Sequence, residues 1–355
     1  MRRLRKFKTV GDMDAAITAD YVSFVGMVKD DGQAPILHMH VHKKPKPAPT
    51  NLSISCSENT VTITAENATT IEYKLSESGS YVTYTEPFAI TQTVTVYAKA
   101  TNAGGSITAS QECVYFDPTI PFYIDVRGSV TLAATSGLQM STDGENWNDT
   151  AATTLPTGKT YFRVASDQSN PLKPNWTEDE NSDYDIGGNI NSLVTTSFEE
   201  YITCHSFSSF FQDKTKLKSA GNLILPATTL RTSCYSNMFN GCTSLTTAPA
   251  LPATTLAYGC YGDMFNSCTS LTTAPALPAP TLAENCYEYM FFGCTNLNYI
   301  KCLATNISAS GCTSDWVYGV SATGTFVKDP NMTASTWGTG VNGIPSGWTV
   351  EDAQD

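Results

Sequence analysis

The stretch Leu256-Ala-Tyr-Gly-Cys260-Tyr-Gly-Asp-Met264-Phe-Asn-Ser-Cys268-Thr-Ser-Leu271-Thr-Thr-Ala-Pro-Ala-Leu277-Pro278 is one copy of a repeat. Cys234, Cys260, Cys286 and Cys312 stand 26 residues apart. The same step links Leu230, Leu256 and Leu282, and it links Met238, Met264 and Met290. It also links Phe239, Phe265 and Phe291, Cys242, Cys268 and Cys294, Leu245, Leu271 and Leu297, and Leu251, Leu277 and Leu303. A degenerate copy precedes these, with Phe211, Leu217, Leu225, Pro226 and Leu230, and two extra residues near Gly221-Asn222. A fixed period in this range implies a solenoid, in which each coil buries its apolar face only against its neighbours.

Within a copy, Leu256, Cys260 and Met264 fall at i, i+4 and i+8. That spacing predicts one face of a helix, and a preceding Thr can cap it. The run towards Leu277-Pro278 predicts a short extended segment. One strand and one helix per coil is a leucine-rich-repeat arrangement.

On these residues the unit resembles the BspA-like leucine-rich repeats of surface proteins in gut Bacteroides-type bacteria and their phages. Tyr184-Asp-Ile-Gly-Gly-Asn-Ile-Asn-Ser-Leu193 resembles the segment that precedes such repeats, and Cys302 through Val350 resembles their terminal segment. The resemblance covers roughly residues 120–350. Trp316 takes the Met position of the repeat and, with Trp337 and Trp348, is expected to close the last coil, since an uncapped solenoid end would expose core.

Outward from the repeats the chain changes character. It has 355 residues, 15% of them charged, and a net charge of −12. Residues 1–46 carry nine Lys/Arg against five Asp/Glu, and the remainder twelve against twenty-eight. Such an acidic chain is unsuited to general phosphate neutralisation, so no nucleic-acid partner is expected. No run approaches the ~18 apolar residues of a membrane helix. Basic residues of Met1–Lys8 are not followed by an apolar segment, so no export signal is read.

Residues 1–46 form a basic anchor and oligomerisation arm, with a helical pattern at Met13, Ala16 and Ile17 and strands at Tyr21–Val25 and Ile36–His42. Lys43-Lys-Pro-Lys-Pro-Ala-Pro49 reads as a stiff linker. Alternating runs at Leu52–Cys56, Val61–Ala65, Ile71–Leu75 and Val94–Ala98 predict a small β-sandwich over 47–116. The strings around Ile71, Tyr84–Ile90 and Val94–Gly104 resemble the immunoglobulin-like accessory modules of bacterial surface proteins. Residues 117–200 read as a β-rich domain capping the solenoid of 201–350, so the expected fold is mainly β and multidomain.

Candidate chemistry is sparse. Ser141-x-Asp143-Gly144-x-x-Trp147 departs from a sialidase Asp-box and reads as the turn of a hairpin beginning at Leu138. The acidic run Glu178–Asp185 lacks calcium-loop spacing and reads as a solvated loop. His38, His40 and His42 lie on one side of a strand and are the one weak metal candidate; an oligomer interface or a solvated strand is the favoured reading. The cysteines show no zinc spacing. Stacked coils permit disulfides between Cys234, Cys242, Cys260, Cys268, Cys286, Cys294 and Cys312, but small buried thiols in ladders are favoured. Cys56 and Cys113 are read as free rather than bridged.

No catalytic set and no cofactor motif emerges, since His205 is the only histidine beyond the arm. Between residues 226 and 300 only Arg231, Asp263, Glu284 and Glu288 are charged. The expected binding residues are the recurring Tyr235, Tyr261 and Tyr287 with Thr246, Thr247, Thr272 and Thr273. The expected function is that of a non-enzymatic phage virion protein, a head or tail fibre or a decoration. It would be anchored through residues 1–46 to other virion proteins, homo-oligomeric with a trimer favoured and a dimer next, and would present its repeats to a host-surface glycan or protein. The segment Phe7–Val25 also resembles N-terminal segments of virion proteins of crAss-like phages. A bacterial cell-surface adhesin and an inert decoration are the alternatives, while a glycosidase with accessory modules lacks a catalytic domain. The absent export signal favours the virion reading.

Overall fold

The structure, a computed structural model, describes residues 21–28, 36–43, 46–57, 60–113, 117–197, 206–332 and 334–353. It is almost entirely β: among the described residues, helix is confined to a 3-10 turn at Ile190–Leu193 and four residues at Ala334–Trp337. The chain forms two compact units, Met1–Tyr115 and Phe116–Asp355.

In the first unit β1 (Tyr21–Val28) and β2 (Ile36–Lys43) pair antiparallel. Two further sheets follow. One joins β3 (Thr50–Ser57), β4 (Thr60–Glu66) and β7 (Phe88–Ala89). The other has the order β6 (Val82–Thr83), β5 (Thr70–Lys74), β8 (Val94–Asn102), β9 (Gly105–Cys113). Alternation along β4 and β8 turns Val61, Ile63, Val96 and Ala98 inward. Phe88 stacks on Tyr73 at 4.2 Å, and the Tyr84 hydroxyl accepts the Ile63 N–H.

One expectation is corrected here. Cys56 and Cys113 are joined by a disulfide, with Cα atoms 5.5 Å apart. The strands carrying them, β3 and β9, belong to different sheets, and only the folded register brings these distant residues together. The end of the expected linker is also fastened down. Pro49 is buried, the Pro47 carbonyl accepts from the Asn102 amide at 2.9 Å, and the Lys46 carbonyl rests where a Cβ on Gly104 would lie. The helical pattern at Met13–Ile17 lies outside the described residues.

The second unit opens with a six-stranded sheet in the order β13 (Asn148–Asp149), β12 (Leu138–Ser141), β15 (Gly158–Val164), β10 (Tyr123–Val126), β17 (Tyr184–Asn189), β18 (Leu217–Ile224). A smaller sheet joins β14 (Thr153–Thr154), β11 (Thr131–Ala133) and β16 (Asn175–Thr177). The pairing of β17 with β18 is parallel. This carries the sheet of residues 117–197 directly into the repeats, and a single core runs from Phe122 to Trp348. Ser192 ties the junction: its buried hydroxyl accepts from Phe122 N–H and donates to the Phe162 carbonyl, each at 2.9 Å.

Successive copies of the repeat stack as coils, but none contains the expected helix. Along 233–241 the backbone N–H groups alternate between two destinations. Cys234, Ser236, Met238, Asn240 and Cys242 donate to the carbonyl three residues back. Ser233, Tyr235, Asn237, Phe239 and Gly241 donate to Tyr258, Cys260, Gly262, Met264 and Asn266 of the next coil, at 2.8–3.0 Å. The same pattern links the coil of Gly259–Ser267 to that of Glu284–Phe292, and that coil to Ser310–Tyr318. Every fourth residue is left-handed: Ser233, Asn237 and Gly241, then Gly259, Asp263 and Ser267, then Asn285, Tyr289 and Gly293. An α-helix admits no such residue, so each segment is a ribbon of consecutive turns with a period of four.

The opposite side of each coil is extended, with a limitation also written in the sequence. Coils containing Pro249 or Pro275 make only isolated bridges, such as Ser219↔Thr247 and Thr273↔Tyr299. Where Lys301 replaces the proline, true strands form: β19 (Tyr299–Cys302), β20 (Thr325–Lys328) and β21 (Thr349–Asp352), all parallel. Proline removes a ladder donor, which accounts for the difference.

Candidate functional site

Each turn ribbon places two consecutive residues inward and the next two outward. The inward pairs are Cys-Tyr at 234–235 and Met-Phe at 238–239, repeated in the next two coils, and Cys312-Thr313 and Trp316-Val317 take these places in the last. Tyr235, Tyr261 and Tyr287 are therefore only 1–2% exposed. Their rings follow one another through the core at 5.9 and 6.1 Å, the first pair stacked and the second tilted by 30°, beside the Phe239–Phe265–Phe291 column at 5.5 and 5.8 Å. This corrects the expectation that the tyrosines form a binding row: they are core. Burial holds the Tyr261 and Tyr287 phenols well above their ordinary pKa.

The eight described repeat cysteines are free thiols, and all are buried. Cys242, Cys268 and Cys294 donate across the coil gap to the carbonyls of Phe211, Phe239 and Phe265 at 3.1, 3.2 and 3.0 Å. Desolvation pushes the Cys242, Cys294 and Cys302 thiols up to about 12, and Cys268 well above its usual value. Burial thus favours the thiol over the thiolate that attacks or binds metal.

Thr246, Thr247, Thr272 and Thr273 are exposed. Thr246 spends its hydroxyl on the Lys218 carbonyl of the preceding coil at 3.0 Å. A second exposed row, Thr229, Thr255 and Thr281, was not singled out from the sequence, although the 26-residue step marks it equally well. The two rows lie at either end of the proline-rich stretch of the coils.

Other candidates resolve into local structure. Asp143 closes the loop between β12 and β13: its carboxylate accepts from Glu145 and Asn146 N–H and from the Asn146 amide. These bonds hold its carboxyl well below the usual range. The acidic run is partly engaged rather than merely solvated, since Arg127 forks onto Asp183 and Asp185 at 2.7 and 2.6 Å. Glu178 binds the Tyr184 hydroxyl, and Lys214 donates to the Trp176 carbonyl at 2.7 Å. His38, His40 and His42 fall on β2, but their side chains lie outside the described residues. Among the described residues no three His, Cys, Asp or Glu groups are placed to hold a metal ion, and no helix is long and apolar enough to cross a membrane.

The last coil is closed by tryptophans. Trp316 stacks between Tyr287 at 6.1 Å and Trp337 at 5.7 Å, and donates to the Gly343 carbonyl. Trp348 covers the next edge and donates to Ser321 at 2.8 Å. Comparison with protein-family models, with curated proteins and with solved structures returns no match.

Proposed function

We propose that the chain is a non-enzymatic display protein of a phage virion, a fibre or decoration, whose repeats form a leucine-rich-repeat-like solenoid used for adhesion to a neutral glycan or protein on the host surface. The observation that carries this reading is the pair of exposed threonine rows, Thr246–Thr272 with Thr247–Thr273 and Thr229–Thr255–Thr281, on a frame whose rungs recur from coil to coil. A periodic frame offers a polymeric ligand the same contact repeatedly, and linked weak contacts gain ~10²–10⁴ in avidity. In this reading the two-sheet region before the repeats is an immunoglobulin-like spacer. The basic residues 1–46 attach the protein to other virion proteins as a homo-oligomer, with a trimer favoured.

One observation favours a second reading, a bacterial cell-surface adhesin. The Cys56–Cys113 disulfide suits a protein that matures in an oxidising compartment. Mass spectrometry of purified virions and of bacterial surface fractions separates the two by where the protein is found. Adhesion is tested by presenting the full chain on beads to host cells and capsular polysaccharide. Binding lost when Thr247, Thr273, Thr255 and Thr281 are all changed to Val supports the reading. Binding to none of these surfaces at high valency leaves a structural decoration.

A further inference from the structure

The outward face of the turn ribbon breaks the pattern of the repeat in its later coils. At one outward position the copies read Asn237, Asp263, Tyr289, Asp315, and three residues further on Asn240, Asn266, Phe292, Tyr318. In the first two copies these residues form polar pairs: the Asn240 amide donates to Asn237, and the Asn266 amide to Asp263, each at 2.9 Å. In the third copy the pair is aromatic, with Tyr289 edge-on to Phe292 at 5.7 Å. In the fourth, Tyr318 stacks on Phe292 at 4.8 Å with planes 14° apart, and is 51% exposed. Core packing does not set this in the third copy, where Tyr287 and Phe291 stay inward as in the copies before it; in the fourth, Thr313 and Val317 take those inward places.

A second observation is backbone strain. Tyr289 has φ +53°, whereas every other left-handed residue among those described is Gly, Asn, Asp or Ser. A bulky side chain is strained in that region, and such strain concentrates at functional sites. The third observation is charge. Asp263 and Asp315 flank Tyr289 in its own row, Glu288 is its neighbour, and both aspartates act electrostatically on Glu288. In a repeat region nearly free of charge, three carboxylates thus occupy outward positions of the same ribbons as the three aromatic rings.

We infer that Tyr289, Phe292 and Tyr318, with Asp263, Glu288 and Asp315, form a docking patch for a lysine- or arginine-bearing peptide segment of a partner protein. Ring faces attract ammonium and guanidinium groups, and the carboxylates supply ion pairs. A neutral glycan would use the rings but has no need of three crowded carboxylates. The patch is distinct from the threonine rows, and its test does not depend on them.

The probe is a capped synthetic peptide of the sequence Arg-Ser-Lys-Ser-Arg-Ser-Lys, titrated calorimetrically into the full chain beside an analogue with glutamine at every basic position and a neutral glucan oligosaccharide. The basic peptide is expected to bind saturably and to weaken as salt screens the charges. The analogue is expected not to bind. The triple variant D263N/E288Q/D315N is expected to lose at least about tenfold in affinity, and Y318A several-fold, with circular dichroism unchanged. Equal binding of the glutamine analogue, tighter binding of the glucan, no saturable binding, or indifference to the triple variant would each overturn the proposal.

Discussion

The backbone N–H of Asp315 donates to the side-chain oxygen of Asn342 at 2.6 Å. In every earlier coil the equivalent N–H finds a carbonyl of the following coil, as Tyr289 finds Ser314 at 2.9 Å. The last ribbon has no complete coil beyond it. Asn342 supplies the acceptor there, aided by the Val341 carbonyl for Val317 N–H and the Asn342 carbonyl for the Thr313 hydroxyl. Removing the acceptor in Asn342→Ala should cost about 1 kcal/mol, as loss of a helix cap does. Hydrogen exchange should quicken first at Asp315. Unchanged exchange there would show that the cap is dispensable.

The buried aromatic columns bear on stability rather than on binding. Phe265→Ala and Tyr261→Ala should each cost about 3–5 kcal/mol, because a large cavity opens between coils that cannot close up independently. Chemical denaturation measures this directly. A variant with wild-type stability and lost adhesion would restore the tyrosines to the surface.

Of the eleven cysteines, the two in the disulfide leave nine thiols to be titrated after denaturation without reductant. In the native protein the repeat thiols should resist alkylation even near about pH 9, since thiols raised to about 12 remain protonated and buried. Rapid native labelling at Cys268 would contradict this.

Burial raises the Asp263 carboxyl above its ordinary value, and burial with Asp263 and Asp315 raises Glu288. The folded state therefore holds these protons to higher pH than the unfolded state does. Stability from this source is complete at low pH and falls as pH rises through the raised values. Asp263→Asn keeps the oxygen that accepts from Asn266 and removes the charge. Its thermal midpoint should exceed that of the wild type at neutral pH, and the difference should vanish by about pH 3, where the carboxyl is protonated in both states. A difference that persists in acid would assign the effect to something other than charge.

The period and the identity of most core residues were legible in the sequence, because Cys234, Met238 and Cys242 recur at fixed positions whatever the backbone does. The backbone itself was not. Spacing of i, i+4, i+8 fits a helix of period 3.6 and a turn ribbon of period four equally well over so short a segment. The discriminating signal was the recurrence of Gly, Asn, Asp or Ser every fourth residue, as at Gly259, Asp263 and Ser267. The orientation of Tyr261 followed from the same choice. On a helix it would sit about 100° round from Cys260, whereas in the ribbon both point inward. The Cys56–Cys113 bridge needed a register between sheets that local patterning does not encode.

The coil-to-coil backbone hydrogen bonds of the ribbon all run one way, donors facing the C-terminal neighbour and acceptors the N-terminal one. Every internal coil thus presents matching ends, like links of a chain with a hook and an eye. Duplication or loss of one 26-residue unit would leave each remaining interface of the same kind, with both terminal closures untouched. Length is then a freely variable character of this architecture, and reach can change between related chains without redesign of the structure that bounds it.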